Sequence, residues 1–275
     1  MFLVWLRVAA ILYGVASLLA IPAVLGKRAR GHRFCLPAAM GGWFFHLVAT
    51  VEMMAAAHHL IPVMADEIVS TLALLIVAVF LLIFFLYRTI SFGLFALPLA
   101  FLLTVIPAIG PDRYTFASPL VRNGWIAFHV VMLLAAYAAL LFSILASFLY
   151  LVQEKRLKDK QSPGFLTWLP PLGTMDQIAQ TTLVLGFCCM TAGLFAGSLI
   201  AQEKVGIGYF ADPKVLLSFV IWGMYVALLF IRRSAGLRGR RAAWATSGVL
   251  VAMLCVWAAN LLSGVHSSAH RFGLK

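Results

Sequence analysis

The sequence predicts an all-α integral membrane protein, a bundle of about eight transmembrane helices with both termini outside the cytoplasm. Hydrophobic residues make up 63% of the 275 positions and charged residues only 11%, against about 45–50% and about 25% in soluble domains. Eight apolar runs are long enough to cross, or nearly cross, about 30 Å of hydrocarbon. None shows the alternation of a barrel strand. Each is predicted to be a helix, because lipid offers an unpaired backbone no other partners.

The apolar runs follow one another along the whole chain, which favours a single transmembrane domain over residues 1–275. They occur near residues 2–26, 34–57, 68–87, 91–109, 121–152, 177–201, 214–231 and 242–264. The first lacks a basic segment before its apolar core, which favours a retained span over a cleaved signal. The third and fourth are separated by a very short turn.

The fifth and sixth runs are more than simple spans. The fifth, at about 32 residues and about 1.5 Å per residue, would reach about 48 Å, so it must tilt or extend into the cytoplasm. Its charged end, residues 153–160, favours extension. Pro170 and Pro171 separate the sixth run from a short apolar segment, which is predicted to lie at the inner interface with Trp168 as its anchor.

Basic residues determine the predicted orientation. Two thirds of the 21 Lys and Arg residues lie in the connections that follow the first, third, fifth and seventh runs. The positive-inside rule places those connections in the cytoplasm and both termini outside. Topology therefore explains most of the formal charge of +12, and no contact with nucleic acid is predicted.

The cysteines exclude two kinds of redox or haem site. They show neither C-x-x-C nor C-x-x-C-H spacing, which excludes a covalent c-type haem on this chain and a thioredoxin-like dithiol. Buried thiols that behave as small hydrophobic residues are the favoured interpretation. The four lie within apolar runs: Cys35, Cys188, Cys189 and Cys255.

Six of the seven histidines fall in the outer half of the predicted bundle. His46 is the deepest, His129 lies in the outer part of the fifth span, and His266 follows the eighth. A histidine within a span is a functional candidate, with a structural interhelical hydrogen bond as an equally weighted alternative. Neutral imidazoles that converge on one outer cavity would suit a haem iron or a transition metal. The other outer histidines are His58, His59 and His270.

Two local patterns offer other interpretations of the outer side. His266 and His270 stand at i and i+4, so they could bind a divalent metal or simply lie at a frayed helix end. Glu52 and His59 share a helix face, which favours pairing over a proton path. A small-cation transporter is the least supported function, because the other acidic residues fall at or beyond helix ends. Basic residues that could neutralise haem propionates on this side are Arg113, Arg122, Lys204 and Arg271.

Four stretches resemble one known family. They begin at His129, at Met175-Asp176, at Asp212-Pro213-Lys214 and at Gly239-Arg240-Arg241, and they cover roughly residues 121–271. In order and topology they are similar to the cytochrome c assembly family of CcsA type, closest to its YpjD- and HemX-like branch.

The resemblance implies non-covalent haem b in a multi-pass protein of the bacterial cytoplasmic (inner) membrane. His129 and His266 would be the outer axial ligands, and His46 would match the histidine that holds haem within the membrane. The implied partners are membrane lipid, haem, and a cytochrome c assembly partner or a haem-synthesis enzyme.

One departure from the family bears on activity. Family synthases carry a tryptophan-rich outer segment that presents haem to apocytochrome thiols, whereas residues 202–211 contain no Trp. An accessory or regulatory role is therefore favoured over haem attachment by this chain alone. The alternative function is a HemX-like regulator or scaffold that contacts a haem-synthesis enzyme through the basic stretches 153–161 and 232–241. Orientation and contact with anionic lipid are the favoured explanation of those stretches, ahead of a protein contact.

Overall fold

The fold is a bundle of helices at the predicted positions. A computed structural model describes residues 1–25, 29–56, 65–110, 124–159, 169–205, 213–234 and 239–248, and within these ranges the chain is helical without strands. The helices are α1 (Phe2–Leu25), α2 (Ala29–Ala56), α3 (Ala65–Tyr87), α4 (Gly93–Ile109), α5 (Gly124–Lys158), α6 (Leu172–Val205) and α7 (Pro213–Ser234). An eighth, α8, is described over residues 240–248.

Six of these helices are long and apolar enough to cross a membrane, and α4 is a shorter apolar helix. The predicted all-α integral membrane bundle is confirmed. The placement of both termini outside stays a prediction, because it depends on the distribution of charge and not on helix geometry.

Helix bounds differ from the hydropathy estimate where polar residues continue a helix. Helix α6 begins at Leu172 rather than near residue 177. Its first five residues include Gly173, Thr174 and Asp176, which lower the local hydropathy. The helix nevertheless begins there, since the Met175 N–H donates to the Pro171 carbonyl at 3.1 Å. Helix α2 begins at Ala29, so most of the basic connection expected between the first two apolar runs is helical. The interfacial segment around Trp168 lies outside the described residues.

The predicted short turn between the third and fourth helices is present. Helix α3 ends at Tyr87, and Arg88 takes a left-handed backbone conformation with φ of 54°. Its N–H donates to the Phe84 carbonyl at 2.8 Å, which ends the helix. The chain then enters α4 at Gly93, so α3 and α4 pack as neighbours.

Two apolar clusters divide the interior. The first joins helices α1 to α4 with the inner face of α5 and the start of α6, around Phe80, Phe92 and Phe142. The second joins α5, α6 and α7 around Met190 and Tyr225. The two most extensive helix pairs are α5 with α6 and α1 with α2. These two pairs hold the two described intramembrane histidines.

Candidate functional site

His129 is fixed by the backbone of the neighbouring helix. It lies in the second turn of α5, and its Nδ1 is 2.6 Å from the carbonyl oxygen of Gly193 on α6. A carbonyl can only accept, so Nδ1 carries the proton and donates it to this bond. In the neutral ring Nε2 is then the unprotonated nitrogen, which is the one able to bind a metal.

Two glycines of α6 give the imidazole its space. Gly193 and Gly197 are four residues apart and lie on the face of α6 that meets α5. A Cβ atom at Gly197 would lie 2.5 Å from Cε1 and 2.6 Å from Nδ1 of His129. The ring therefore lies directly against the glycine backbone. Neither glycine was predicted as a site residue, although G-x-x-x-G within an apolar helix is a known signal of close helix packing.

A cavity of about 270 Å³ opens beside the His129 ring. Helices α5, α6 and α7 form its walls, which are mostly apolar, with hydroxyl groups from two serines. Its volume is near the lower end of the range of about 300–1,000 Å³ for small-molecule sites. Lining residues besides the histidine include Leu133, Leu194, Ser198, Val215, Ser218 and Phe219.

The cavity lies at the end of the bundle where residues 206–212 connect α6 to α7. Ala201 and Val215 line it from the ends of these two helices. This is the end that the charge distribution assigns to the outer side. Among the residues that the structure describes, no three His, Cys, Asp or Glu side chains are grouped so as to hold a metal ion. A bound metal at His129 would therefore need a ligand from another part of the chain or from a cofactor.

His46 occupies a separate place, among the first three helices. Its side chain is fully buried in α2, with Nε2 2.9 Å from the Ser70 hydroxyl of α3 and Nδ1 3.4 Å from the Tyr13 hydroxyl of α1. Both ring nitrogens thus have partners, which offsets the cost of burying an imidazole. The hydrogen-bond partners of His46 are on α1 and α3, whereas His129 is bonded to α6, so these two predicted site residues have separate settings among the described residues.

Most of the remaining predicted site residues lie outside the part of the chain that the structure describes. His266, the second proposed axial ligand, lies outside the described residues, and so do His58, His59 and His270. The side chains of the four proposed propionate partners also fall outside. Glu52 is described: its Oε1 is 3.8 Å from the amino group of Met1, while its Oε2 is buried without a hydrogen-bond partner among the described residues.

A buried ion pair lies at the opposite end of α6. Asp176 accepts a 2.8 Å hydrogen bond from Arg232 of α7, whose side chain is only 3% exposed. A second guanidinium nitrogen of Arg232 is 3.4 Å from the Thr246 hydroxyl of α8, and the N–H of Gly239 is 3.4 Å from the Asp176 carboxylate. We name these four residues the inner polar cluster. It joins the inner ends of α6 and α7 to the start of α8.

The inner polar cluster changes the interpretation of one predicted contact. Arg232 belongs to the basic stretch proposed to bind a haem-synthesis enzyme, but its guanidinium is buried against Asp176 and is not available to a partner. Lys155 and Arg156, in the other basic stretch, are exposed. The ion pair of Arg232 with Asp176 was not predicted from the sequence, where Arg232 was assigned to orientation of the bundle or to contact with a partner.

Comparison with known proteins identifies relatives of this chain. The model of the family described as cytochrome C assembly protein matches residues 67–266. A curated relative from Prochlorococcus marinus (strain MIT 9312), named cytochrome c biogenesis protein CcsA, is 33% identical over 187 residues, covering 59% of this chain and 60% of its own length. A protein of the same name from Synechococcus sp. (strain CC9311) is 32% identical over 194 residues, covering 59% of this chain and 64% of its own length.

A third relative covers more of the chain. The CcsA of Prochlorococcus marinus subsp. pastoris is 31% identical over 209 residues, which cover 68% of this chain and 63% of that protein. This chain therefore spans about 60% of the length of the curated relatives it matches. The family match includes helices α3 to α7, His129, both glycines beside it and the inner polar cluster. The chain belongs to the cytochrome C assembly protein family.

Proposed function

We propose that this chain binds haem b non-covalently in the bacterial cytoplasmic membrane and handles it during cytochrome c assembly. The axial ligands would be Nε2 of His129 and a nitrogen of His266 on the outer side. The observation that carries the proposal is the 2.6 Å bond from Nδ1 of His129 to the Gly193 carbonyl, beside an apolar cavity. The relatives named cytochrome c biogenesis protein support a role in cytochrome c assembly. The proposal that His129 binds the iron is supported by the geometry around its ring.

The residues around His129 fit a haem iron. Ligand histidines characteristically donate their second ring nitrogen to a carbonyl or carboxylate, which fixes the tautomer and raises the basicity of the ligating nitrogen. The Gly193 carbonyl fills that role. Iron in haem accepts one or two axial imidazoles. The apolar walls of the cavity would exclude water from the porphyrin face, and the Ser198 hydroxyl could form a hydrogen bond with a polar group at the porphyrin edge.

We assign the chain to haem handling rather than to haem attachment. The stretch 202–211 contains Tyr209 and Phe210 but no Trp, so it lacks the tryptophan-rich segment with which family synthases present haem to a thiol. Neither histidine needs to act as an acid or a base in this role. Their task is to hold the iron until a partner takes the haem, and the cytochrome c assembly partner is the expected recipient.

The haem assignment is tested on detergent-purified full-length protein. We expect His129→Gly, His266→Gly and the double variant to lose most of the haem measured by pyridine haemochrome and to lose the optical spectrum of a bis-histidine haem. Free imidazole should restore the spectrum of His129→Gly, because it can fill the space left by the side chain. His32→Ala is the matched control, since His32 is predicted on the cytoplasmic side. An unchanged spectrum in the double variant would refute the ligand assignment.

We also propose His46 as a haem ligand within the membrane, provided that it can release one of its present hydrogen bonds. Ligation requires its Nε2 to exchange the 2.9 Å bond to Ser70 for iron. We expect His46→Ala to destabilise the protein by about 1–3 kcal/mol, because the hydroxyls of Tyr13 and Ser70 lose a buried partner. Thermal unfolding in detergent measures this effect. Haem content decides the second question: His46→Ala with normal haem content would remove His46 from the ligand set, while Ser70→Ala serves as the control that frees Nε2.

A further inference from the structure

A groove between α1 and α4 combines a cation with an apolar wall. It has a volume of about 390 Å³ and is lined by Arg7 and Ile11 of α1 and by Phe101, Val105 and Ile109 of α4, with alanines at its base. It belongs neither to the His129 cavity nor to the inner polar cluster. Arg7 is exposed, although it lies in the second turn of a membrane-spanning helix.

The length of α4 explains why an arginine is present there. Helix α4 has 17 residues, so at about 1.5 Å per residue it reaches about 26 Å, less than the roughly 30 Å of hydrocarbon. Its last carbonyls therefore end near the edge of the apolar layer, where they need donors. The Nε of Arg7 donates to the Ala108 carbonyl at 3.1 Å. This bond fixes the guanidinium at one end of the groove.

The remaining donors of Arg7 have no acidic partner among the described residues. The ion pairs found among the described residues join Met1 to Glu52, Lys158 to Glu154 and Arg232 to Asp176, and none includes Arg7. The two terminal nitrogens of the guanidinium carry four N–H donors arranged to meet two oxygens of a phosphate. A cation held at the membrane edge above an apolar groove matches one kind of ligand, an anionic amphiphile.

We propose that this groove binds one anionic phospholipid, with the phosphate on Arg7 and an acyl chain along α1 and α4. The lining from Phe101 to Ile109 extends over two turns of α4, about 12 Å, which is enough to contact a large part of one acyl chain. The alanines at the base, Ala10 and Ala108, are buried and keep the groove deep. The positive end of the groove favours an anionic lipid over a zwitterionic one.

Lipid retention by the full chain tests the proposal. Protein is equilibrated in detergent with equal amounts of phosphatidylglycerol and phosphatidylcholine, and the lipid that remains bound is counted by native mass spectrometry. We expect one phosphatidylglycerol to be retained preferentially, and Arg7→Gln to reduce that preference about five- to tenfold because the charged bidentate contact is lost. Arg88→Gln, which removes another exposed arginine that does not line this groove, is the matched control.

Further variants separate the groove from its charge. Ile11→Trp alters an exposed wall residue and should reduce retention with Arg7 intact, because the added rings occupy the groove. Asp112 follows Ala108 by four positions and lies outside the described residues, so Asp112→Asn tests whether this carboxylate, rather than a lipid phosphate, pairs with Arg7. If lipid selectivity depended on Arg7 in the Asp112→Asn variant but not in the wild type, the proposal would be contradicted. Equal selectivity in the wild type and Arg7→Gln, or a dimer that covers the groove without lipid, would also overturn it.

Discussion

Asp176→Ala should destabilise the bundle by about 3 kcal/mol or more, the size expected when one partner of a buried ion pair is removed. The Arg232 side chain is 3% exposed and Asp176 is 18% exposed, so little water is available to replace the carboxylate. The Nε of Arg232 already lacks a hydrogen-bond partner among the described residues. Without Asp176 the buried guanidinium would retain, among the described residues, the Thr246 hydroxyl as its acceptor.

Two controls isolate this effect. Glu154→Ala breaks the pair with Lys158, whose side chain is 61% exposed, so its cost should stay below about 1 kcal/mol. The double variant Asp176→Leu/Arg232→Met should recover most of the loss, because an apolar pair of similar volume replaces a buried ion pair at little cost. Unfolding in detergent micelles, followed by circular dichroism, measures all three. A loss for Asp176→Ala no larger than that for Glu154→Ala would contradict the assignment of this pair as a structural link.

The ion pair should also influence the proposed haem site at the other end of the bundle. Gly239 joins the cluster through its N–H and has φ of +65°, a conformation that favours glycine. A Cβ atom there would lie 2.6 Å from the Tyr150 hydroxyl. The cluster thus fixes where α8 begins, and the chain continues from α8 to His266. We therefore expect Asp176→Ala to retain less haem than Glu154→Ala.

Hydropathy predicted the helices well because lipid leaves few choices. A run of apolar residues in a membrane must pair its own backbone, so the position of each run gives the position of a helix. The errors occur at the ends. Asp176 and its polar neighbours made the start of α6 look like a connection, whereas Asp176 is part of the helix and paired with Arg232. A charge whose partner lies on another helix has no signature in a local average.

The site was predicted only in part, for a related reason. The depth of a histidine in its span identifies it as a candidate, since an intramembrane imidazole needs a partner. Which partner it has depends on helix order, and hydropathy carries no information on that. His46 therefore looked similar to His129, although one is bonded to Tyr13 and Ser70 and the other lies against two glycines beside a cavity. Of these partners, only the glycines had a recognisable spacing.

Gly197→Ala should destabilise the protein and disturb His129, because the added methyl group would clash with the imidazole. The new methyl group would lie 2.5 Å from Cε1 of the imidazole, too close for either group to stay in place. The ring must move, which breaks or lengthens the 2.6 Å bond to Gly193. Overpacking of this kind typically costs about 1–3 kcal/mol. We expect a lower unfolding temperature and, if His129 ligates haem, an altered optical spectrum of the remaining haem.

The sign of the change distinguishes this clash from an ordinary helix effect. A methyl group at Gly173 of α6 or Gly223 of α7 would meet no side chain or neighbouring helix within 4 Å among the described residues, so alanine there should be neutral or stabilise by up to about 1 kcal/mol. Gly197→Ala should destabilise instead, and its cost should largely disappear in the His129→Ala background, where no ring opposes the methyl group. Such a double-mutant cycle measures the contact directly. A cost that persists without the imidazole would place the clash elsewhere and separate Gly197 from the positioning of His129.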